Sequence, residues 1–288
     1  MADGPPMTAP AASLAPGIFD SSATAVQKMN AIQQRYAAER GKWLRPEGLA
    51  QYIDVALSDR FRHYQSDPWS AIGRLITDRV SDPGRWIWVG FGGTWYWNRY
   101  PGLMCNIKSY TYMPLLEEMG YMPRHKYAFG PELRAHADRV ADRYKLRDKA
   151  VFRMQVKSME WDDREKEWSV VMDQNRGNDQ EIRMTVRARF VISASGVLNY
   201  PQIPRLECLD LFKGHIFHTS RWDYNYTGGT PKEPSLSNLK NKSVGIIGTG
   251  ATAIQCIPHV AKWAKLLIVF QRTPASVNRR DNRPTDPE

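Results

Sequence analysis

A glycine-containing segment late in the chain has the residue types and spacing of a phosphate-binding turn. The segment Ser243–Ala253 reads SVGIIGTGATA, an apolar run with β-branched residues followed by the pattern GxGxxA. Gly248 permits a tight turn, Gly250 lets the backbone approach a pyrophosphate, and Ala253 is small enough for close helix–strand packing. Amide groups at the start of the following helix would face the phosphates. The segment therefore predicts a dinucleotide site.

The elements predicted around this turn occur in the order that such a site requires. We expect Ser243–Ile247 to form a buried parallel strand, Ala251–Lys265 a helix kinked at Pro258, and Leu266–Phe270 the next strand. This context makes the match stronger than an isolated glycine pattern, although a βαβ unit that binds no nucleotide is the alternative. The candidate nucleotide-binding residues at the turn are Gly248, Thr249, Gly250, Ala251, Thr252, Ala253, Ile254 and Gln255.

The residues after the second strand indicate which dinucleotide would bind. A site for NAD usually carries an acidic residue here, which binds the ribose 2′-hydroxyl. This chain has Arg272 and Thr273 instead, and a guanidinium suits the 2′-phosphate of NADP. We therefore predict NADPH as a cofactor. The alternative is that Arg272 is only a solvated charge at the end of a strand.

Three further sequence segments have patterns of residue types that the amino-acid composition alone would rarely produce. Phe212–Asp223 reads FKGHIFHTSRWD, Gly92–Gly102 reads GGTWYWNRYPG, and Cys105–Tyr112 reads CNIKSYTY. The first string fits the pattern FxGxxxHxxxW(P/D). The positions that carry this pattern are Phe212, Gly214, His218, Trp222 and Asp223.

These strings resemble the fingerprints of type I Baeyer–Villiger monooxygenases, which use FAD and NADPH to insert oxygen next to a ketone. The resemblance implies that Gly92–Gly102 lies against the isoalloxazine and ribityl part of FAD, and that Arg189–Gly196 forms a second flavin-contacting turn. It implies that His218 belongs to a linker that couples NADPH binding to flavin chemistry. The FAD-binding candidates on this basis are Thr94, Trp95, Tyr96, Trp97, Asn106 and Tyr112.

Each of these residues also has a purely structural interpretation. The aromatic run Trp95–Trp97 could be part of a core, and Tyr112 could be a packing residue. A single histidine such as His218 is more often structural than catalytic. The segment Arg189–Gly196 could be a plain buried strand that ends at a glycine turn.

One part expected from the resemblance is missing from the sequence. Family members carry a first dinucleotide turn for the FAD pyrophosphate, and here the strand-like run Trp86–Gly90 leads directly into the aromatic string. Gly90 and Gly92 fit the first two glycines of a turn, but Trp95 fills the third position, where only a small residue packs. The chain also has Asn106 where the family has aspartate, and Lys108 at a position often acidic in relatives.

The resemblance places an active-site arginine downstream of the last residue, Glu288. We therefore expect an internally deleted and C-terminally truncated relative whose activity is lost or impaired, with no catalytic residue assigned in this chain. The expected fold is α/β, an incomplete flavoprotein with two dinucleotide-binding domains: a remnant FAD domain with a β-meander, and the first βαβ of a Rossmann NADP domain. The predicted divisions are residues 1–60 for a disordered lead and helical arm, 61–235 for the FAD domain and 236–288 for the NADP domain.

Hydrophobic periodicity predicts the remaining elements. We expect helices at Ala23–Glu39, Glu47–Leu57 and Pro131–Lys145, the last with Leu133, Ala137, Val140 and Tyr144 on its apolar face. We expect three meander strands at Val151–Trp161, Glu167–Asp173 and Glu181–Ser195.

Composition excludes several other classes. The net charge of +10 is spread over the chain without a nucleic-acid motif, so we predict no nucleic-acid partner. No apolar run is long enough to span a membrane, and the N-terminus lacks the pattern of a signal peptide. The three cysteines have neither metal nor disulfide spacing, which predicts a cytoplasmic protein without a metal.

The predicted function is a monooxygenase that uses FAD, NADPH and O₂ on a small-molecule ketone. The N-terminal arm and the aromatic string are most similar to fungal and bacterial relatives that act on bulky steroid-like or terpenoid ketones in secondary metabolism. One alternative is a non-catalytic remnant that binds a nucleotide or a partner. An N-hydroxylating flavin monooxygenase is disfavoured because its linker fingerprint differs at the Trp-Asp end. The oligomeric state is left open.

Overall fold

The structure, a computed structural model, divides into two compact units, Met1–Gln51 and Tyr52–Glu288. Three predicted features, the disordered lead at residues 1–17, the run Trp86–Gly90 and Thr273, lie outside the residues that it describes. The described residues are 23–43, 46–55, 57–65, 91–152, 154–175, 181–196, 198, 200–272 and 275–286.

The first unit contains helix α1, Ala23–Trp43, which confirms the predicted helix and extends it beyond Glu39. The predicted second helix, Glu47–Leu57, is wrong. Gly48 has a positive φ of 51° and begins a single 3₁₀ turn, and strand β1, Tyr52–Ile53, follows at once. Pairing with a distant strand therefore prevails over the helical pattern of this segment.

The second unit opens with β1 paired antiparallel to β5, Ile203–Pro204. Phe61 and Tyr64 pack beside this pair in a small buried cluster. The described 3₁₀ turns are Gly48–Gln51, Arg62–Gln65, Leu146–Lys149, Leu209–Leu211, Thr219–Arg221 and Ser237–Leu239.

Three helices follow in the first half of the second unit. Helices α2 (Thr94–Trp97) and α3 (Ser109–Tyr112) have four residues each, and α4 spans Gly130–Arg143. Helix α4 confirms the predicted Pro131–Lys145 helix, with a proline in its first turn. Leu133 is buried as predicted, but Tyr144 is exposed because it follows the last helical residue.

The predicted meander is confirmed as three antiparallel strands in the order β2-β3-β4. The strands are Met154–Asp162, Glu167–Asn175 and Glu181–Ala188. The predicted extension of the third strand to Ser195 is wrong, since residues 189–196 lack regular structure. Phe190 is 84% exposed, so this apolar segment is left uncovered by the residues that the structure describes.

Near the other end of the unit, strand β6 (Ser243–Ile247), helix α6 (Ala251–Trp263) and strand β7 (Leu266–Phe270) form the predicted crossover unit. The two strands pair in parallel, from Ser243 opposite Leu266 to Ile247 opposite Phe270. Helix α5 (Tyr224–Thr227) precedes this unit.

The prediction that β6 is buried is wrong for one face of the strand, and β7 beside it has the same two different faces. Val244 and Leu267 pack against the core, but Ile247 and Phe270 are more than half exposed. The described part of the chain adds no third strand to this sheet. Apolar side chains on the outer face therefore meet solvent.

The largest core cluster joins the two segments that were predicted to be separate domains. Tyr100, Leu103 and Trp222 pack with Leu236 and Val260 in one buried group. The predicted division between residues 235 and 236 accordingly falls inside one compact unit.

A strap formed by residues 281–285 also crosses this division. The Lys126 amide donates to the Arg283 carbonyl at 2.9 Å, and the Thr285 amide donates to the Arg124 carbonyl at 2.9 Å. Tyr127 and Asn282 exchange two further hydrogen bonds of 3.0 and 3.1 Å. The residues after β7 thus hold the segment that precedes α4.

Candidate nucleotide and flavin site

The turn between β6 and α6 has the backbone geometry predicted for a phosphate-binding site. Gly248 has a φ of 103°, a backbone conformation that residues other than glycine rarely adopt. Its amide donates to the Phe270 carbonyl at 2.8 Å. A Cβ added at Gly248 or Gly250 would meet no atom within 4 Å. The space above the turn is therefore open, and the amides of the first turn of α6 can face an anion there. These residues fit a dinucleotide pyrophosphate.

The small residue at the end of the motif also has the expected role. Ala253 is 7% exposed, and Cys256 on the next turn is fully buried in the core cluster. Helix α6 can therefore lie close to β6 and β7. Pro258 is within the helix, as predicted.

Gln255, a predicted NADP-binding residue, has its carboxamide directed to the protein. Its Oε1 accepts from the Tyr100 hydroxyl and from the Met104 amide, each at 3.1 Å. Its Nε2 donates to the Met104 carbonyl at 3.0 Å and to Asn106 Oδ1 at 3.1 Å. A carboxamide has two acceptor lone pairs and two N–H donors, so the group is fully used.

Tyr100 extends this contact towards the turn. Burial raises the pKa of Tyr100 to about 12, and the side chain of Thr252 hydrogen-bonds the phenol and opposes this rise. The phenol remains protonated and links Thr252, in the first turn of α6, to Gln255 in the second. The segment Arg99–Gly102, which reads RYPG and is called the RYPG segment below, is thus attached to the helix at its phosphate-binding end.

The aromatic string predicted to contact FAD is partly a packing element. The Trp95 indole donates to the Tyr112 hydroxyl at 2.9 Å, and the two rings meet edge to face. Trp95 packs against two core clusters. Asn98 Nδ2 donates to the carbonyl and to the hydroxyl of Thr94, which fixes the end of α2.

Arg221 lies between the fingerprint histidine, His218, and the aromatic string, because it interacts with both. The guanidinium of Arg221, a buried residue, lies over the Trp97 ring with its Cζ 4.6 Å from the ring centroid. Burial, and then the positive charge of Arg221, lower the pKa of His218 to about 4. His218 Nδ1 accepts from the Ser220 amide at 3.2 Å, so the neutral ring caps a 3₁₀ turn.

The other fingerprint residues are mainly structural in this fold. The buried indole of Trp222 donates to Thr227 Oγ1 at 3.0 Å. Asp223 caps α5 by accepting from the Tyr226 amide at 3.0 Å, and its other carboxylate oxygen lies 2.9 Å from His215 Nε2. Phe212 is exposed.

The described residues do not form a pyrophosphate cradle for FAD. Gly92 and Gly93 have positive φ angles of 92° and 48°, but they lead into α2, which has one turn only. Trp95 occupies the position where a small residue is needed for a strand and helix to pack. The predicted second flavin-contacting turn, residues 189–196, is irregular and exposed.

Two arginines of this region were not predicted from the sequence. Arg221 could have been noticed because it adjoins Trp222 within the fingerprint. Arg280 donates from Nη1 to the Cys105 carbonyl at 3.0 Å, and no sequence signal marks it. Both act through contacts between segments that are distant in sequence.

The described part of the chain contains no cluster of three or more metal-ligating side chains. Among the helices that can be described, none combines the length and the apolar composition needed to cross a bilayer.

Comparison with known proteins identifies the class. The polycyclic ketone monooxygenase of Thermothelomyces thermophilus is 45% identical, in an alignment that covers 90% of this chain and 46% of that protein. The FAD-binding monooxygenase ausB of Aspergillus calidoustus is 57% identical over 199 residues, which is 69% of this chain and 31% of that protein. No protein-family model matches.

Solved structures agree with these relatives. The structure of the Thermothelomyces polycyclic ketone monooxygenase matches with a TM-score of 0.81 and 44% identity, over 91% of this chain and 47% of that one. OTEMO in complex with FAD and NADP matches with a TM-score of 0.59 and 35% identity, over 70% of this chain and 36% of that one. An oxidised steroid monooxygenase bound to NADP also has a TM-score of 0.59.

The fold and these similarities define a flavoprotein with two dinucleotide-binding domains, of which this chain represents a part. The chain is homologous to the FAD- and NADPH-dependent Baeyer–Villiger monooxygenases, and the resemblance predicted from its motifs is confirmed. It spans about half the length of the curated relatives that it matches over nine-tenths of its own residues.

The alignment lengths also show a difference in length within the aligned region. Nine-tenths of 288 residues is about 259, so about 39 of the 298 positions aligned with the Thermothelomyces protein have no residue in this chain. The ausB alignment, by contrast, has 199 positions for 69% of 288 residues and is nearly free of gaps. Any continuous stretch of 199 residues in this chain includes residues 90–199, so the part that aligns with ausB nearly without gaps includes these residues.

Proposed function

We propose that this chain is the portion of a Baeyer–Villiger monooxygenase that binds NADP(H) at the turn before α6. The observation that carries the proposal is the complete β6–turn–α6–β7 unit, with Gly248 in a positive-φ conformation and open space above it. Titration of the purified chain with NADP⁺ in a calorimeter tests it. Saturable binding supports the proposal, and the absence of binding at millimolar NADP⁺ contradicts it.

Arg272 supports the choice of NADP over NAD. It lies two residues after β7, where a guanidinium can pair with the 2′-phosphate, and Thr273 next to it remains a predicted second donor. In Arg272→Ala we expect the affinity for NADPH to fall by about tenfold or more, because a charge-assisted contact is lost, with NADH binding unchanged. Arg279→Ala, at an exposed arginine further along the segment, is the matched control. Equal losses for NADPH and NADH would refute the assignment.

Flavin binding is proposed to be impaired in this chain. The relatives bind FAD, but the residues described here lack the turn and helix that would hold its pyrophosphate, and about 39 aligned positions are missing. FAD, when bound, supplies the oxygen-transfer chemistry of the relatives, and Trp97 and Tyr112 remain predicted contacts of it. We expect the purified chain to carry little flavin absorbance. Stoichiometric yellow protein with ketone-dependent oxidation of NADPH would contradict this.

The substrate class proposed for the whole protein is a bulky ketone, which reacts with O₂ as co-substrate. Support comes from relatives named polycyclic ketone monooxygenase and steroid monooxygenase. A cytoplasmic location belongs to the same proposal, because Cys105, Cys208 and Cys256 are all free thiols.

A second candidate is a non-catalytic remnant that binds a nucleotide or a partner. The exposed apolar side chains of β6, β7 and residues 190–192 favour it. A colourless protein that binds NADP⁺ but does not oxidise NADPH in the presence of FAD and a polycyclic ketone would support this candidate over the enzyme.

A further inference from the structure

We propose that Gln255 is a positioning residue that couples NADP(H) binding on α6 to the placement of the loop containing Asn106. The proposal deepens the proposed function and rests on it, because it requires a dinucleotide at the turn before α6. It begins from the observation that all four hydrogen-bonding positions of the Gln255 carboxamide are directed to the segment Tyr100–Asn106. A nucleotide could engage this group only by displacing protein partners.

The Tyr100–Asn106 segment lies directly on the helix, without room between them. A Cβ added at Gly102 would come within 2.5 Å of the Gln255 carbonyl oxygen and 2.6 Å of the His259 ring. This approach requires glycine, which also suits the φ of 79° at this position. The backbone of the segment is therefore in contact with the second turn of α6, and the Gln255 side chain fixes its register.

A second contact holds the same loop from the residues that follow β7. Arg280 donates to the Cys105 carbonyl at 3.0 Å, one residue before Asn106. Asn106 itself is exposed. Its side chain is thus held at the surface, with its amide oxygen bonded to Gln255 and the backbone before it bonded to Arg280. Both partners belong to the nucleotide-binding part of the chain.

The position of Gln255 on α6 connects these contacts to the ligand. Gly250 caps the helix, and Gln255 lies in the turn that follows the phosphate-facing amides. Thr252, in the first turn, reaches the same loop through Tyr100. An anion that fixes the first turn of α6 will therefore also restrict the loop. By linkage, fixing the loop favours the anion to the same extent.

Hydrogen exchange measures this coupling in the full chain, with NADP⁺ as the probe. The Met104 amide donates to Gln255 Oε1, so its exchange rate reports the contact directly. In the wild-type chain we expect NADP⁺ to slow exchange in residues 103–108. In Gln255→Glu a carboxylate oxygen replaces the donor that faces the Met104 carbonyl and Asn106 Oδ1. We expect that variant to lose the NADP⁺-dependent slowing and to bind NADP⁺ about tenfold more weakly.

The matched control is Gln155→Glu, the same chemical change on β2. Gln155 is exposed and accepts from Lys157 at 2.8 Å through an oxygen that glutamate retains. It should leave both the affinity and the slowing at wild-type values. If Gln255 had only a structural role, its substitution would lower stability but would leave unchanged the difference in exchange rate between the free and the NADP⁺-bound chain.

Asn106→Ala is the second variant, used if Gln255→Glu does not fold. It removes one exposed acceptor and leaves the Met104 contacts in place, so NADP⁺ should still protect the Met104 amide but no longer that of Ile107. The proposal is overturned if NADP⁺ binds the wild-type chain without slowing exchange in residues 103–108, if the slowing survives Gln255→Glu, or if protection of the Ile107 amide survives Asn106→Ala. Absence of NADP⁺ binding to the wild-type chain is a separate result, which overturns the proposed function and this inference with it.

Discussion

At the scale of single residues, His218 shows how position decides protonation. The ring is half-buried, accepts from the Ser220 amide, and lies beside the Arg221 guanidinium, which is held against Trp97. Desolvation and a neighbouring positive charge both disfavour the imidazolium. This histidine is therefore neutral at physiological pH, and its Nδ1 atom accepts the hydrogen bond that caps a turn. Protonation of Nδ1 would break this cap, so the structure favours a structural role over that of a general base.

The lowered pKa of His218, about 4, predicts the pH dependence of stability. The unfolded chain takes up a proton near pH 6.5 and the folded chain only near pH 4, so the free energy of unfolding should fall as the pH decreases through this range. The loss is on the order of 2 kcal/mol for a group that keeps some hydration. In His218→Asn, whose amide oxygen can cap the same turn, urea unfolding at pH 4.5 and 7.5 should show a smaller difference.

His63→Asn controls for the loss of one imidazole, because His63 is exposed in a neighbouring turn. If His218→Asn and wild type lose the same free energy between the two pH values, the assignment of the neutral state to His218 is wrong.

At the scale of elements, the contact between the RYPG segment and α6 depends on one glycine. Gly102→Ala would place a methyl group against the Gln255 carbonyl and the His259 ring, at a positive φ. We expect the free energy of unfolding to fall by about 2–3 kcal/mol, from overpacking and backbone strain together. Chemical denaturation monitored by tryptophan fluorescence gives the value.

Gly120→Ala separates the two causes. Gly120 also has a positive φ, 56°, but an added Cβ would meet no atom within 4 Å. Its substitution should therefore carry only the cost of strain. Equal destabilisation by both substitutions would show that the helix contact at Gly102 contributes nothing.

The local pattern was sufficient to predict the crossover unit, α4 and the meander, because in each the apolar period and the turn residues agree. It failed at Glu47–Leu57, where Gly48 and a two-residue pairing with Ile203–Pro204 end the helical pattern. It also failed at residues 189–196, because a strand needs a neighbour and the sequence of one strand does not show whether the neighbour is present. Among site residues, the glycines of the turn were recognisable, whereas Arg280 and the protein partners of Gln255 depend on tertiary contacts.

At the scale of the whole molecule, the parallel pair β6–β7 has two different faces. Leu267 packs against the core cluster, whereas Ile268, the next residue, is 46% exposed together with Ile247 and Phe270. Parallel sheets are usually covered on both faces. An uncovered apolar face of this kind favours self-association.

Substitution of two adjacent residues tests this asymmetry. Ile268→Lys should reduce aggregation measured by light scattering and leave the free energy of unfolding within about 0.5 kcal/mol of wild type. Leu267→Lys should destabilise the chain by about 3 kcal/mol or more, because it places a charge against the core. Comparable destabilisation by both would mean that the outer face is covered in solution.

The strap of residues 281–285 has a consequence for how the protein is made. Its hydrogen bonds to residues 124–127 join segments separated by more than half of the chain, and Arg280 completes the surroundings of Cys105. During synthesis, the segment that carries Asn106 leaves the ribosome long before the strap that holds it. A nascent chain stalled before Arg280 should therefore leave residues 105–127 open to protease, and a chain whose strap has left the ribosome should protect them.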